Sequence, residues 1–71
     1  MFTQIFVKLI QIKGVTPYSV AKETGISQGL MSHYKCGNKV PTADNLVKIA
    51  DYLDVSTDYL LGRTDNPEIN R

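Results

Sequence analysis

The sequence has one cysteine, Cys36, so no internal disulfide braces it, and a 71-residue chain must then stand on its packing or on a partner. It has one histidine, His33, three residues before that cysteine. Two ligands fall short of the four that a structural zinc site takes, so no metal is expected. No pocket motif surrounds the pair, which argues against a Cys–His nucleophile. Glycine-rich phosphate loops and paired catalytic carboxylates are also missing. Enzymatic activity, a cofactor and a small-molecule ligand are therefore not expected. No apolar run approaches the roughly 18 residues of a membrane span. The opening MFTQIFVK lacks the basic start and cleavage site of a secretory signal. These absences point to a soluble, cytoplasmic protein with no membrane association.

Charge of one sign is scarce as well: eight Lys and Arg against seven Asp and Glu leave a net charge of +1. That total excludes a polybasic protein, but it hides a division. Residues 1–43 carry five lysines against Glu23 alone, a net of +4, and residues 44–71 carry a net of −3. Charge segregated along a chain can mark an electrostatic face. The 42% hydrophobic content is ordinary for a globular domain.

What the chain does have is helical punctuation. Phe2, Ile5, Phe6, Leu9 and Ile12 recur at three- and four-residue steps, predicting a first helix to about Lys13 with those side chains inward. Gly14, Gly25, Gly37 and Gly62 each close such a stretch. Thr16-Pro17, Ser27, Thr42 and Ser56 cap the segments that follow. Val20 and Ala21 face inward on the second helix, Met31 and Tyr34 on the third. Leu46, Ile49, Ala50 and Leu53 do so on the fourth. No segment alternates with period two over a useful length. The fold class is all-α, five short helices over residues 1–62, with 63–71 a polar C-terminal tail or linker.

Only Gly25, Ile26 and Ser27 separate the second and third helices. Two short helices joined by a three- or four-residue turn containing glycine describe a helix-turn-helix. The residues around it are familiar. Val20-Ala21-Lys22-Glu23-Thr24-Gly25-Ile26-Ser27-Gln28, then Met31-Ser32-His33-Tyr34-Lys35-Cys36-Gly37 and Pro41, resemble the core of the lambda-repressor-like (Cro/repressor, XRE-type) DNA-binding family. Residues 45–56 and Asp58-Tyr59-Leu60-Leu61-Gly62 resemble its fourth and fifth helices, so the likeness covers residues 5–62.

The resemblance implies a third helix lying in the major groove of double-stranded DNA. On it Gln28, Gly29, Leu30, Ser32 and His33 are the candidates for base contact. The Gln28 amide suits an adenine edge, and Leu30, at a position usually polar in the family, suits a thymine methyl. Gly29 replaces a residue that favours helix and allows close approach of the backbone. Gln28, Leu30, Ser32 and His33 are taken to share one face, which could also be plain solvent surface. Phosphate candidates are Thr16 and Tyr18 at the start of the second helix, and Lys35, Asn38 and Lys39 after the reading face. The lysines could equally be solubilising, and Asn38 a turn residue. The family often pairs an Arg near the end of the first helix with an acid before the glycine. Here Ile10 and Lys35 stand there, leaving Lys35 free. Tyr59, Leu60 and Leu61 are dimer-contact candidates, unless all three finish the core. The expected function is transcriptional regulation, as a prophage-type repressor binding a near-palindromic operator as a homodimer. The alternative is a protein-interaction role on the same fold, an antitoxin or anti-regulator.

Overall fold

The computed structural model describes residues 2–68 and contains five α-helices: α1 (Phe2–Lys13), α2 (Pro17–Thr24), α3 (Gln28–Cys36), α4 (Ala43–Leu53) and α5 (Thr57–Leu60). Each of the last four opens on a hydroxyl side chain. Thr16, Ser27, Thr42 and Ser56 accept from the backbone N–H three residues on, satisfying a donor that the helix itself cannot pair. Helix ends are closed by backbone bonds that reach five residues back. Val15 N–H donates to the Ile10 carbonyl (3.0 Å), Asn38 to His33 (3.0 Å), Val55 to Ala50 (3.0 Å) and Arg63 to Asp58 (2.9 Å). Such a closure needs a left-handed residue just before the donor. Glycine supplies it at Gly14, Gly37 and Gly62, while Asp54 takes φ 58° at the end of α4. No helix among the described residues is long and apolar enough to cross a membrane.

Every helix contributes to one core. Tyr34, Phe6, Met31, Ile49, Leu53, Leu60 and Val20 are its largest side chains below 2% exposure. Phe2 stacks on Phe6 with centroids 5.4 Å apart and meets the edge of Tyr34 at 6.1 Å, which ties the start of α1 to α3. Tyr34 is the one buried aromatic with a polar atom, and its hydroxyl accepts from the Asn45 amide at 3.1 Å. That bond fastens α3 to α4 and fixes how α3 is rotated. Among the described residues no buried side-chain polar atom lacks a partner.

The first helix departs from expectation at its end. Ile12 is 69% exposed, whereas Ile10 is buried. Ile10 lies one turn beyond Phe6, at the centre of the buried stripe. Ile12 continues the line of Ile5, itself only half-buried at the stripe's edge. The last turn of α1 therefore carries its isoleucine into solvent.

Residues 63–68 do not leave the domain at Gly62. The Pro67 carbonyl accepts from Ser56 N–H at 2.8 Å, returning the chain to the start of α5. Thr64 and Asn66 side chains accept from Asn66 and Glu68 N–H (both 3.1 Å), stabilising the reversal. Residues 69–71 of the expected tail lie outside the described residues.

Candidate nucleic-acid interface

The turn between α2 and α3 is built from three residues with separate tasks. Gly25 adopts φ 77° and donates its N–H to the Ala21 carbonyl at 2.9 Å. Ile26 is buried beneath the turn. Ser27 Oγ accepts from Leu30 N–H at 3.1 Å and starts α3. Thr24, which sequence reasoning did not single out, supports the reversal. Its hydroxyl donates to the Val20 carbonyl at 2.6 Å and accepts from Ile26 N–H at 3.4 Å.

With its start fixed in this way, α3 turns Met31 and Tyr34 into the core and presents the rest outward. Gln28, Gly29, Ser32, His33 and Cys36 are all exposed and, at about 100° per residue, fall within roughly 140° of one another on one face. Leu30 does not share it. At about 100° per residue it lies roughly 200° from Gln28, and its half-buried side chain packs against the core. The apolar residue that suggested a methyl contact thus belongs to the shoulder of the helix. Cys36 takes a place on the outward face that only its spacing from Ser32 and His33 could have indicated.

At one end of this face, Pro17 and Tyr18 of α2 and Gln28, Met31 and Ser32 of α3 line a small cleft of about 110 Å³. Tyr18 is 58% exposed on its rim. The structure therefore brings together Tyr18 and Gln28, two candidates named for different tasks. Thr16 is committed to capping: its Oγ1 accepts from Ser19 N–H and donates to Ser19 Oγ, both at 3.1 Å. At the other end Lys35, Asn38 and Lys39 are exposed around the close of α3. Asn38 differs from the two lysines, because its side-chain amide lies 3.4 Å from His33 Nδ1.

The dimer candidates separate by burial. Leu60 is fully buried and has no surface to offer a partner, because a four-residue α5 must turn one side chain wholly inward to stay attached. Tyr59 is half-buried against the core and Leu61 is 37% exposed.

The helix-turn-helix domain family model matches residues 4–66, nearly the whole of this arrangement. The chain belongs to the XRE-type helix-turn-helix family. It is 35% identical over 68 residues to the uncharacterized HTH-type transcriptional regulator YobD of Bacillus subtilis, covering 96% of this chain and 61% of that protein. Over 48 residues it is 48% identical to RstR, the cryptic phage CTXphi transcriptional repressor of Vibrio cholerae, covering 68% of this chain and 43% of RstR. It is also 34% identical over 55 residues to the HTH-type transcriptional regulator ImmR of Bacillus subtilis, covering 78% of this chain and 43% of ImmR. The chain thus spans between 43% and 61% of the length of these relatives. No solved structure matches the chain significantly. The family's helix-turn-helix coincides here with α2, the Gly25 turn and α3.

Proposed function

We propose that this helix-turn-helix domain binds double-stranded DNA and serves a transcriptional regulator, a repressor of prophage type. The observation that carries this reading is the outward face of α3, where Gln28, Gly29, Ser32, His33 and Cys36 are exposed on a helix whose other side is fastened to the core by the Tyr34–Asn45 bond. An α-helix fits the major groove, where base edges offer distinct donor and acceptor patterns. Gln28, Ser32 and His33 supply the matching polar groups, while Lys35 and Lys39 lie where the helix leaves the groove and meet phosphate. RstR, a phage repressor by name, and ImmR support the regulatory role. The domain binds as a homodimer through Leu61 and the exposed part of Tyr59. Two copies of α3 then enter successive major grooves about 34 Å apart on a near-palindromic operator.

Titration of duplex DNA at varied salt tests this. Each neutralised phosphate contributes about −0.9 to the slope of log affinity against log salt. Lys35 and Lys39 from two protomers give about −3.6, a loss of roughly 100-fold between 50 and 200 mM salt. Lys39→Ala should flatten that slope by about 1.8 and weaken all duplexes alike. Undetectable affinity for duplex even at low salt would sink the proposal.

Gly29 supplies a second test. A Cβ placed there meets nothing within 4 Å, so alanine fits the folded domain without strain. Its higher helix propensity stabilises by about 1 kcal/mol, which raises the melting midpoint by about 4–8 °C. Where the backbone lies against a base pair, the added methyl intrudes. Gly29→Ala is therefore expected to melt higher in a calorimetric scan yet bind duplex several-fold more weakly. Unchanged affinity would remove Gly29 from the contact surface.

A further inference from the structure

Asn38 touches His33 twice. Its backbone N–H donates to the His33 carbonyl at 3.0 Å, closing α3, and its side-chain Nδ2 lies 3.4 Å from His33 Nδ1. The first bond makes the second possible. Gly37, at φ 84°, reverses the chain so that the residue after it returns over the last turn of the helix. The reversal is backed by α1, since a Cβ at Gly37 would stand 3.5 Å from Thr3 Oγ1. Asn38 is thereby set beside one particular imidazole nitrogen by main-chain geometry.

That contact has a chemical consequence. An amide Nδ2 only donates, so this contact is a hydrogen bond in one tautomer alone, the one in which His33 Nδ1 is the bare, accepting nitrogen. In a neutral imidazole the proton then sits on Nε2. Nδ1 is turned toward the helix-closing loop, which leaves Nε2–H as the nitrogen available to a ligand.

We infer that Asn38 is a positioning residue that fixes the His33 tautomer, so that His33 offers a hydrogen-bond donor in the groove and selects guanine. Guanine presents two acceptors on its major-groove edge, N7 and O6, against one on adenine (N7, beside an amino donor) and one on thymine (O4, beside the methyl), while cytosine presents only an amino donor. The opposite tautomer would offer an acceptor from Nε2 and favour those amino groups instead. This inference rests on the proposed DNA binding, and it replaces the phosphate contact expected of Asn38 with a role exerted through His33.

Two measurements on the full chain test it. The first needs no DNA: a long-range proton–nitrogen correlation spectrum, recorded where the imidazole is neutral, shows which ring nitrogen carries the proton. Protonated Nε2 is expected for the unaltered chain. Asn38→Asp, whose carboxylate accepts instead of donating, is expected to move the proton to Nδ1. A proton already on Nδ1 in the unaltered chain, or a tautomer indifferent to this substitution, overturns the inference.

The second selects bound sequences from a random duplex pool. One guanine per half-site is expected to lose its preference in His33→Ala by about 5-fold or more. Asn38→Ala is expected to weaken the preference at that same position and leave the others intact. If Asn38→Ala lowers affinity for every duplex alike with all preferences unchanged, Asn38 is a phosphate contact and the inference fails. A pool from which nothing is enriched overturns the DNA reading itself, and with it any base-selecting role for His33. The spectrum still decides the tautomer in that case, so the two failures are told apart.

Discussion

Gln28→Ala is expected to weaken binding to the selected operator by about 30-fold or more while leaving the fold untouched. Gln28 stands first on α3, exposed, beside the Tyr18 cleft. Its amide is both donor and acceptor, matching the N6 and N7 of adenine. A bidentate pairing of this kind is worth about 1–3 kcal/mol of discrimination. A symmetric complex loses it in both half-sites, so the total is about 2–6 kcal/mol. An exposed substitution on a helix outside the core changes stability by only about 0.5 kcal/mol either way. Binding titrations on the operator and on a random duplex distinguish the roles. Loss confined to the operator marks a residue that reads bases, and equal loss on both would make Gln28 a contact to the backbone of DNA.

Which parts of this site were legible in the sequence follows from how local each signal is. Caps and helix ends are decided within four or five residues, so Thr16, Ser27, Thr42 and Ser56 marked the starts of α2 to α5, and the glycines marked every helix end but that of α4, which Asp54 closes. Which stripe of a helix is buried is decided by what packs against it. The steps of three and four predict Ile12 inward, and the packed position of α1 buries Ile10 instead. Leu30 went astray for a related reason. Its family position suggested groove contact, but its rotation about α3 places it on the shoulder that joins the core. Leu60 and Leu61 are adjacent, and no composition argument separates them; α5 is so short that one turn decides which is inside. The Asn38–His33 contact joins residues five apart through a helix closure. Neither hydrophobic periodicity nor charge carries any sign of it.

Phe6→Ala is expected to be the most destabilising single truncation considered, costing the fold about 3–5 kcal/mol. Phe6 is fully buried, stacked on Phe2, in a domain without a disulfide to hold it together. Removing a buried phenyl ring costs about 3–5 kcal/mol, through lost burial and the cavity left behind. A domain of this length has a total stability of about 4–11 kcal/mol. The melting midpoint should fall by about 12 °C or more, and at the lower end of that stability range the native state is no longer dominant at 25 °C. Ile12→Ala is the matched control, since this isoleucine is 69% exposed and its loss should stay within about 0.5 kcal/mol. Thermal melts followed by circular dichroism check both. A large effect at Ile12 would place it in a contact absent from the single chain, and a small effect at Phe6 would contradict the packing described for α1.

The net charge of +1 hides a division along the chain. It gains meaning once the helices are placed, because α1 to α3 and the loop after them hold the lysine-rich part of the chain, and residues 44–71, from α4 onward, hold six of the seven acids. The proposed function therefore requires that random duplex be bound weakly, through few phosphates, and that base contacts and the pairing of two copies supply the affinity. Selection of bound sequences from a random duplex pool is the most direct measurement of that claim. The expected result is a near-palindromic consensus whose half-sites lie about 10 base pairs apart, centre to centre, one turn of the double helix. Recovered sequences as diverse as the starting pool, at a salt concentration low enough for any duplex to bind, would contradict it.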